Sequence, residues 1–363
     1  MSARAQFVHL HVHSHYSLLD GTIAIPDLVG AAKEHGMKAL ALTDHGNLFG
    51  AIEFYQKATA AGIKPIIGCE TYLAPKSRFD KTGTGIRDSN AHLVLLAKDE
   101  AGYANLMRLV SASYLEGFYY KPRVDHELLA LHAEGLLALS ACPKGEIGSA
   151  ILADDDEDAY RTAVRYREIF GAENFFLEIQ DHGLDKDRLL APEIHRLSQE
   201  TGIPLVATND SHYLRREDAR AHEILMCIQT GKTMSNPDRM RWPTPEFYLK
   251  SAEEMRRLFP DSPDALARTA EIAARCRVEI PKVAEPFPRF EVPAGHTADT
   301  YFEYIAREGF ERRRPRLEAL RAQGRLAHEL AAYLDRLDSE IRMIQQMKFS
   351  GYFLIVWDFM RFA

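Results

Sequence analysis

Between residues 7 and 210, short apolar runs alternate with longer amphipathic stretches, and this alternation restricts the possible folds more than any other feature. Short apolar runs bounded by turn residues are typical of buried β-strands, and amphipathic stretches are typical of helices. Seven strands with intervening helices predict an α/β fold with a largely parallel sheet, either open and doubly wound or closed into a barrel. The predicted strands are residues 7–13, 39–43, 64–72, 92–97, 135–140, 175–179 and 205–208. The predicted helices between them are residues 25–35, 50–60, 103–116, 156–170 and 186–200.

The remainder of the chain is predicted to be mainly helical. Residues 216–277 look helical, and Ser251 and Glu254 form the pattern of a capping box. Residues 1–280 are therefore expected to form one domain. Residues 281–297 contain Pro281, Pro286, Pro288 and Pro293 and are read as a linker, and residues 298–363 as a separate helical segment.

Composition excludes several classes of protein. A hydrophobic fraction of 46% with 27% charged residues is ordinary for a soluble globular chain. No apolar run reaches the roughly 18 residues of a membrane span and no signal peptide is visible, so we expect a cytoplasmic protein without a membrane partner. The net charge of -7 argues against a protein whose whole surface binds nucleic-acid phosphates, but it is compatible with a local nucleic-acid channel.

Four histidines occupy alternate positions between residues 9 and 15. Alternate residues of a strand share one face, so His11 and His13 can reach one cation where the strand ends. Imidazole is a common ligand of zinc and other transition metals. A polar edge strand with hydrogen-bonded histidines is the alternative reading. His9 and His15 alternate in the same way, but they fit supporting or surface positions equally well and are not counted as ligands.

Other residues of metal-binding type stand near the ends of the predicted strands. Since α/β sheets place their sites at the carboxyl ends of strands, most of these side chains are expected to converge. His92 precedes its strand and does not follow this rule. The nine candidates are His11, His13, Asp20, His45, Glu70, His92, Cys142, Asp210 and His212.

Nine candidates exceed the roughly four to six ligands of one cation, so they suit two or three divalent metals that share carboxylates. Metals about 3.5–4 Å apart are the usual device for phosphoester hydrolysis. A thiolate at Cys142 favours zinc at one position at least, whereas carboxylate-rich positions also tolerate manganese or iron.

Five short motifs in this order resemble those of the PHP (polymerase and histidinol phosphatase) domain. The longer stretches around them resemble the N-terminal part of bacterial DNA polymerase III alpha subunits, and this likeness continues to MKFSGYFLIVWDF at 347–359. The motifs are LHVHS at 10–14, SLLDG at 17–21, TDHGN at 43–47, GCE at 68–70 and ATNDSH at 207–212.

The resemblance implies a distorted seven-stranded β/α barrel of TIM-like type followed by a mainly helical segment. It implies up to three metals held by the same nine residues, His92 included. It also implies a 3'-5' exonuclease acting on the 3' end of a DNA primer, with the clamp and a proofreading subunit as protein partners. Catalytic roles then fall to His11, His13, Asp20, Asp210 and His212.

One departure from the family concerns the end of the sequence. In the family, the helix that residues 351–362 resemble is followed by a Gly-rich segment and then by the palm aspartates that hold catalytic magnesium. Neither of these is present in this sequence. We therefore expect that this polypeptide alone does not polymerise and that it is part of a longer protein. The apolar stretch 349–363 agrees with a continuing buried element, although packing against the preceding helices is the alternative.

Two further functional hypotheses stay open. The barrel can be a metal-stabilised docking module without hydrolytic activity, in which metal binding contributes to folding only. It can also be a free-standing phosphatase for a small substrate such as histidinol phosphate.

Overall fold

The computed structural model describes residues 7–82, 90–281 and 288–363, and the chain falls into two compact units, Met1–Ile280 and Pro281–Ala363. Part of the predicted linker, residues 282–287 with Pro286, lies outside the described residues. The first unit contains the sheet, and the described residues of the second unit contain helices but no strand.

The first unit is built on a seven-stranded sheet. Its strands are β1 (Ala39–Leu42), β2 (Lys64–Leu73), β3 (Ala91–Ala97), β4 (Arg123–Val124), β5 (Leu136–Leu139), β6 (Phe175–Ile179) and β7 (Leu205–Ala207). The strands follow the order β1-β2-β3-β5-β6-β7, and β4 pairs with β2. Six of the seven predicted strands are confirmed, whereas the two-residue β4 was not predicted.

The sheet is less parallel than predicted, because β3 runs antiparallel to both β2 and β5. Parallel neighbours need a crossover connection, usually a helix. The connection from β2 to β3 has no helix in its described part, and the chain returns antiparallel instead. This reversal explains His92: at the start of β3 it pairs with Tyr72 near the end of β2, so it lies at the edge where its neighbour strand finishes.

The prediction of a regular strand at residues 7–13 is wrong. The segment is extended, but only Val12 forms an isolated parallel bridge, to Ser211. Its carbonyls at His9 and Val12 accept hydrogen bonds from the amides of Ala41 in β1 and of Thr43 just after β1, and its other side exchanges hydrogen bonds with Ser211. The accepting carbonyls are unevenly spaced, so no regular ladder forms. The segment nevertheless links β1 to the chain just beyond β7, and the curled sheet is therefore the distorted β/α barrel that was expected.

In the described chain, seven helices cover the sheet. They are α1 (Ile25–Glu34), α2 (Ala51–Ala60), α3 (Glu100–Leu115), α4 (His126–Leu131), α5 (Glu146–Leu152), α6 (Asp156–Phe170) and α7 (Asp185–Thr201). Five of them agree with prediction to within a few residues, whereas the short α4 and α5 were not predicted. The largest difference is at α3, which begins three residues earlier than predicted. Asp99 caps it by accepting a hydrogen bond from the Gly102 amide at 2.9 Å, which satisfies an amide that the helix itself leaves free.

Residues 216–277 are only partly helical. A short 3-10 helix (Arg216–Asp218) leads into α8 (Ala219–Thr230), and α9 (Ala252–Leu258) and α10 (Pro263–Arg275) follow, but residues 231–251 form no helix. The prediction of continuous helix was wrong there. The Ser251–Glu254 capping box is confirmed, since each side chain bonds the backbone amide of the other.

Both faces of the sheet are buried, as both faces of a parallel sheet usually are. Leu93 and Leu95 of β3 belong to the large apolar core shared with α1, α2 and α3. Val94 and Leu96 point to the other side, into a smaller cluster inside the curled sheet. Ile272 of α10 packs into that inner cluster, so α10 contributes to the interior of the barrel.

The described part of the second unit contains three helices, α11 (Ala298–Ala322), α12 (Leu330–Gln346) and α13 (Ser350–Phe362). In α12, the apolar residues Leu330, Leu334, Leu337 and Ile344 are half-buried, and Ile341 is buried. In α13, Leu354 is buried, whereas Phe359, Met360 and Phe362 are exposed. Among the described residues, none of the helices combines the length and the apolar character that crossing a bilayer would require.

Candidate metal centre

All nine predicted ligands lie at one edge of the barrel. Each has a side-chain atom within 4.0 Å of a side-chain atom of another member of the set. The donors come from the 7–13 segment and the loop that follows it, the loops after β1, β5 and β7, and the facing halves of β2 and β3. Two features produce this convergence: the antiparallel direction of β3, and the hydrogen bonds by which residues 7–13 join β1 to the chain beyond β7.

The loop that carries Asp20 is held by Asp44. The Asp44 carboxylate accepts hydrogen bonds from the Ser14 amide at 2.7 Å, and from the hydroxyls of Ser14 and Ser17 at 2.8 Å each. Gly21 closes the same loop, and a Cβ on it would stand 2.0 Å from the Ser14 carbonyl oxygen. Both carboxylate oxygens of Asp44 are therefore engaged in hydrogen bonds that hold the loop, whereas Asp20 of the same loop projects into the centre.

One group of donors consists of His11, His13, Glu70 and Asp210. The Asp210 Oδ1 atom lies 3.2 Å from Nε2 of His11 and 3.1 Å from Nε2 of His13. Glu70 lies 3.4 Å from each of these nitrogens, through one carboxylate oxygen to each histidine. His11, His13 and Glu70 could hold one metal ion.

Glu70 also faces a second set of donors. Its Oε2 atom lies 2.7 Å from Nδ1 of His45, and its Oε1 atom accepts a hydrogen bond from Nδ1 of His92 at 2.9 Å. The Cys142 sulfur lies 3.7 Å from the same His92 nitrogen. His45, Glu70 and His92 form a second possible site, and Cys142 lies at its border.

Asp20 marks the open side of the centre. Its Oδ2 atom lies 3.1 Å from Nε2 of His45, and its Oδ1 atom lies 4.0 Å from Nε2 of His212. The Asp20 side chain is 22% exposed, compared with 0% for His11 and His13. His13, His45 and His212 form a third possible site.

Several buried polar atoms of the centre lie close to one another, but within the described part of the chain their geometry gives them no hydrogen bond. Buried polar groups are nearly always hydrogen-bonded, so each exception requires an explanation. Cations between these atoms would satisfy them together, and nitrogen and carboxylate donors suit divalent metals. The unpaired atoms are Nε2 of His11 and His13, Nδ1 of His45, Oε2 of Glu70 and Oδ1 of Asp20 and Asp210.

Mutual electrostatics bring Glu70 and His13, but not His11 and His45, to the protonation states that metal binding needs. Burial alone would lower the pKa of both His11 and His45, but the neighbouring carboxylates outweigh it, raising the pKa of His11 well above its usual value and that of His45 to about 10. A cation that binds these two rings must therefore displace their protons.

Burial disfavours the charged form of Glu70, but three neighbouring histidines outweigh it and hold the pKa of its carboxyl well below the usual range. Burial, together with the positive charges of His45 and His212, lowers the pKa of His13 to about 3. Burial and the nearby carboxylates raise the pKa of the Cys142 thiol, so a metal that binds there must displace its proton.

Sequence reasoning missed Glu178, a fully buried residue of β6. Its carboxylate accepts hydrogen bonds from Nδ1 of His11 and from Nε2 of Gln180, both at 2.8 Å, and also from the hydroxyl of Thr208. The available signal was a carboxylate at an interior position of the apolar strand FFLEI. It also missed His222 of α8, which is 2% exposed and lies beside Asp20.

The other two histidines of the alternating run lie outside the centre. The Nε2 atom of His9 lies 2.7 Å from the carbonyl oxygen of Lys250, and burial lowers the pKa of His9 to about 4. His15 is exposed and contacts the Ile23 carbonyl oxygen through Nδ1 at 3.2 Å. Alternation alone did not distinguish these residues from His11 and His13.

Two family models match the chain. Residues 9–182 match the PHP domain, and residues 301–363 match the model described as the bacterial DNA polymerase III alpha NTPase domain. These matches place the first model across most of the barrel and the second across the three C-terminal helices.

Curated relatives and a solved structure are also similar to the chain. The chain is 48% identical to a DNA polymerase III subunit alpha from Treponema pallidum over 99% of its own length and 30% of that protein. It is 43% identical to the same subunit from Thermus aquaticus, over 100% of the chain and 34% of that protein. The chain thus spans about a third of the length of the curated relatives it matches. A solved two-domain protein from Bacteroides vulgatus, containing a predicted PHP-like metal-dependent phosphoesterase, is 16% identical, with a TM-score of 0.36 over 69% of this chain and 62% of that chain.

Proposed function

Because the chain belongs to the family of bacterial DNA polymerase III alpha subunits, we propose that its PHP domain is a metal-dependent phosphodiesterase acting on the 3' end of DNA. The observation that carries the proposal is the convergence of nine metal-binding side chains around buried polar atoms that lack hydrogen bonds. The substrate is assigned from the family, because a replicative polymerase works at a primer terminus.

We assign all nine residues as ligands of two or three divalent metals. Bound cations would supply the Lewis acidity that neutralises a phosphodiester and activates water. Zinc suits the position bordered by Cys142, and manganese or iron are the alternatives at the carboxylate-rich positions. His11, His13, Asp20, Asp210 and His212 are the residues we expect to carry catalysis.

The protein's own contribution is to orient donors and to admit substrate from one side. Glu178 holds the His11 ring so that Nε2 faces Glu70 and Asp210. The carboxylate of Glu70 contacts both the His11–His13 pair and the His45–His92 pair, so that one residue joins the two possible sites. Since Asp20 is the more exposed end of the cluster, a phosphodiester would enter beside Asp20.

The wider activity follows from the same family membership. We propose that the chain acts in DNA replication as part of a DNA-directed DNA polymerase, with DNA, the sliding clamp and a proofreading subunit as partners. The second unit, which matches the polymerase III alpha model, would connect the barrel to the rest of that protein.

An exonuclease assay tests the hydrolytic function. A primer with a mismatched 3' end is incubated with the protein and zinc or manganese, and release of the terminal nucleotide is measured. We expect activity that chelation abolishes and that a His11→Ala, His13→Ala double variant reduces at least about 100-fold, since two ligands of one cation are lost. Equal activity in the double variant would reveal a contaminant and overturn the proposal.

The full burial of His11 and His13 favours a second candidate, a metal site that stabilises the barrel without catalysis. In that case chelation should lower the melting temperature strongly, and re-added zinc should restore it, while no nuclease activity appears at any metal concentration. At free zinc of 100 times Kd, metal binding stabilises the folded state by about 2.7 kcal/mol. A Glu70→Gln variant is the control, because its melting temperature should respond little to the chelator.

A further inference from the structure

We propose that His222 is a tenth ligand of the metal centre and binds one of its cations together with Asp20 and His212. The inference rests on the proposed metal centre and identifies a residue that lies outside the nine. His222 is the fourth residue of α8, on a helix that follows the β/α units rather than at a strand end.

The first argument is an unsatisfied buried nitrogen. His222 is 2% exposed, and its Nε2 atom has no hydrogen-bond partner in the part of the chain that the structure describes. The nearest acidic atom is Oδ1 of Asp20, at 3.8 Å, and this oxygen is also buried and unpaired. Two unsatisfied polar atoms therefore face each other at the rim of the centre.

The distance between these atoms fits shared coordination better than a hydrogen bond. At 3.8 Å the pair is well beyond the 2.7–3.2 Å range of a hydrogen bond. Two ligands that each lie about 2.0–2.2 Å from one cation stand roughly 3–4 Å apart. The His212 Nε2 atom lies 4.0 Å from the same Asp20 oxygen and supplies the third donor.

Ring packing fixes the orientation of His222. The Trp242 ring lies 4.4 Å from the His222 ring and 4.8 Å from the His212 ring, between centroids, so one indole packs on both imidazoles. The Tyr213 ring lies 5.3 Å from the His222 ring, also between centroids. An imidazole held in this way loses little rotational freedom when it binds a cation.

The donor set of His222, His212 and Asp20 also predicts that the cation bound there keeps an open coordination position. Two imidazoles and one carboxylate are the protein ligands of catalytic zinc sites that keep a coordination position open. The partial exposure of Asp20 leaves such a position accessible. The cation held by His222 is therefore the one we expect to meet the substrate first.

Anomalous diffraction at the zinc edge, from zinc-loaded crystals of the unmodified chain, tests the inference directly. We expect a zinc peak within about 2.3 Å of both His222 Nε2 and Asp20 Oδ1. Zinc peaks at the inner donors with none near His222 would overturn the tenth ligand and leave the proposed function standing. No zinc anywhere would overturn both.

A His222→Gln variant gives a second measurement in solution. The zinc content after loading should fall by one ion per chain, or competition with a chromophoric chelator should show one site weakened at least 10-fold. His195→Gln is the matched control, because His195 lies on α7 and contacts Ser262 rather than the centre. Unchanged content and affinity in folded His222→Gln protein would contradict the assignment, and the diffraction experiment decides the matter if the variant does not fold.

Discussion

The Glu178 carboxylate accepts a hydrogen bond from Nδ1 of His11 at 2.8 Å, and this contact determines which nitrogen of the ring faces the metal centre. A carboxylate only accepts hydrogen bonds, so Nδ1 keeps its proton, and in the neutral ring that a cation would bind the lone pair is on Nε2. The Nε2 atom points to Glu70 and Asp210. Glu178 thus acts through His11 and has no need to touch a cation itself.

Replacing Glu178 by Gln should weaken metal binding about 10- to 100-fold, since partners of this kind fix the orientation and raise the basicity of a ligating histidine. Chelator competition measures the affinity. Glu173→Gln, an exposed carboxylate just before the same strand, is the control and should behave as the unmodified protein. An affinity that survives Glu178→Gln intact would show that the hydrogen bond is incidental to metal binding.

Cys142→Ser should shift the metal preference of the centre. Thiolate favours soft ions, whereas manganese gains little from sulfur, so the affinity for zinc should fall more than the affinity for manganese. Binding isotherms for both ions, recorded on the variant and the unmodified protein, measure the ratio. Cys227→Ala, a buried cysteine of α8 that contacts Met234, is the control. Equal loss for both ions would place Cys142 outside the coordination sphere.

Gly21→Ala should disturb the Asp20 loop. The new methyl group would stand 2.0 Å from the Ser14 carbonyl oxygen, so backbone has to move, and zinc affinity and nuclease activity should fall together. Gly30→Ala in α1 is the matched control: its methyl group meets nothing within 4 Å and should be neutral or stabilising by up to about 1 kcal/mol. Thermal unfolding with and without zinc separates the two effects, and an inert Gly21→Ala would contradict this role of the loop.

Acid should weaken the contact between α4, α5 and α6. Burial opposes ionisation of Glu146, but hydrogen bonds from His126 and Tyr166 outweigh it and lower the pKa of the Glu146 carboxyl. A lowered carboxyl pKa contributes stability above the unfolded pKa of about 4.3, and that stability disappears as pH falls through the folded pKa.

Metal-free Glu146→Gln protein should therefore be less stable than the unmodified protein at pH 7, by on the order of 1 kcal/mol, with the difference shrinking below about pH 4.3. Urea unfolding at both pH values measures this difference. Glu157→Gln, an exposed residue of α6, is the control and should show no such change. A difference independent of pH would contradict the assignment to Glu146 ionisation.

Local patterns in the sequence predicted the α/β fold and eight of the nine converging residues, whereas the closed barrel and the inclusion of His92 were implied by the resemblance of the motifs to the PHP domain. Strand ends are readable from apolar runs, and residue types reveal metal-binding chemistry. Glu178 and His222 escaped because their roles depend on tertiary contacts: one lies within a strand and the other within a helix. His92 was explained only once the antiparallel direction of β3 was known, and that direction is set by a connection rather than by the strand itself.

The hydrogen-bonded seam at residues 7–13 ties the histidines to the closure of the barrel. His11 and Asp210 are separated by about 200 residues, and a cation between them would act as a clasp across nearly the whole first unit, where closing so long a loop removes much chain entropy. Metal binding should then stabilise the whole barrel against local opening, and metal loss should destabilise it. In metal-free protein, the segment 7–13 should open first. Amide hydrogen exchange at residues 7–13 should therefore be faster without metal than with it.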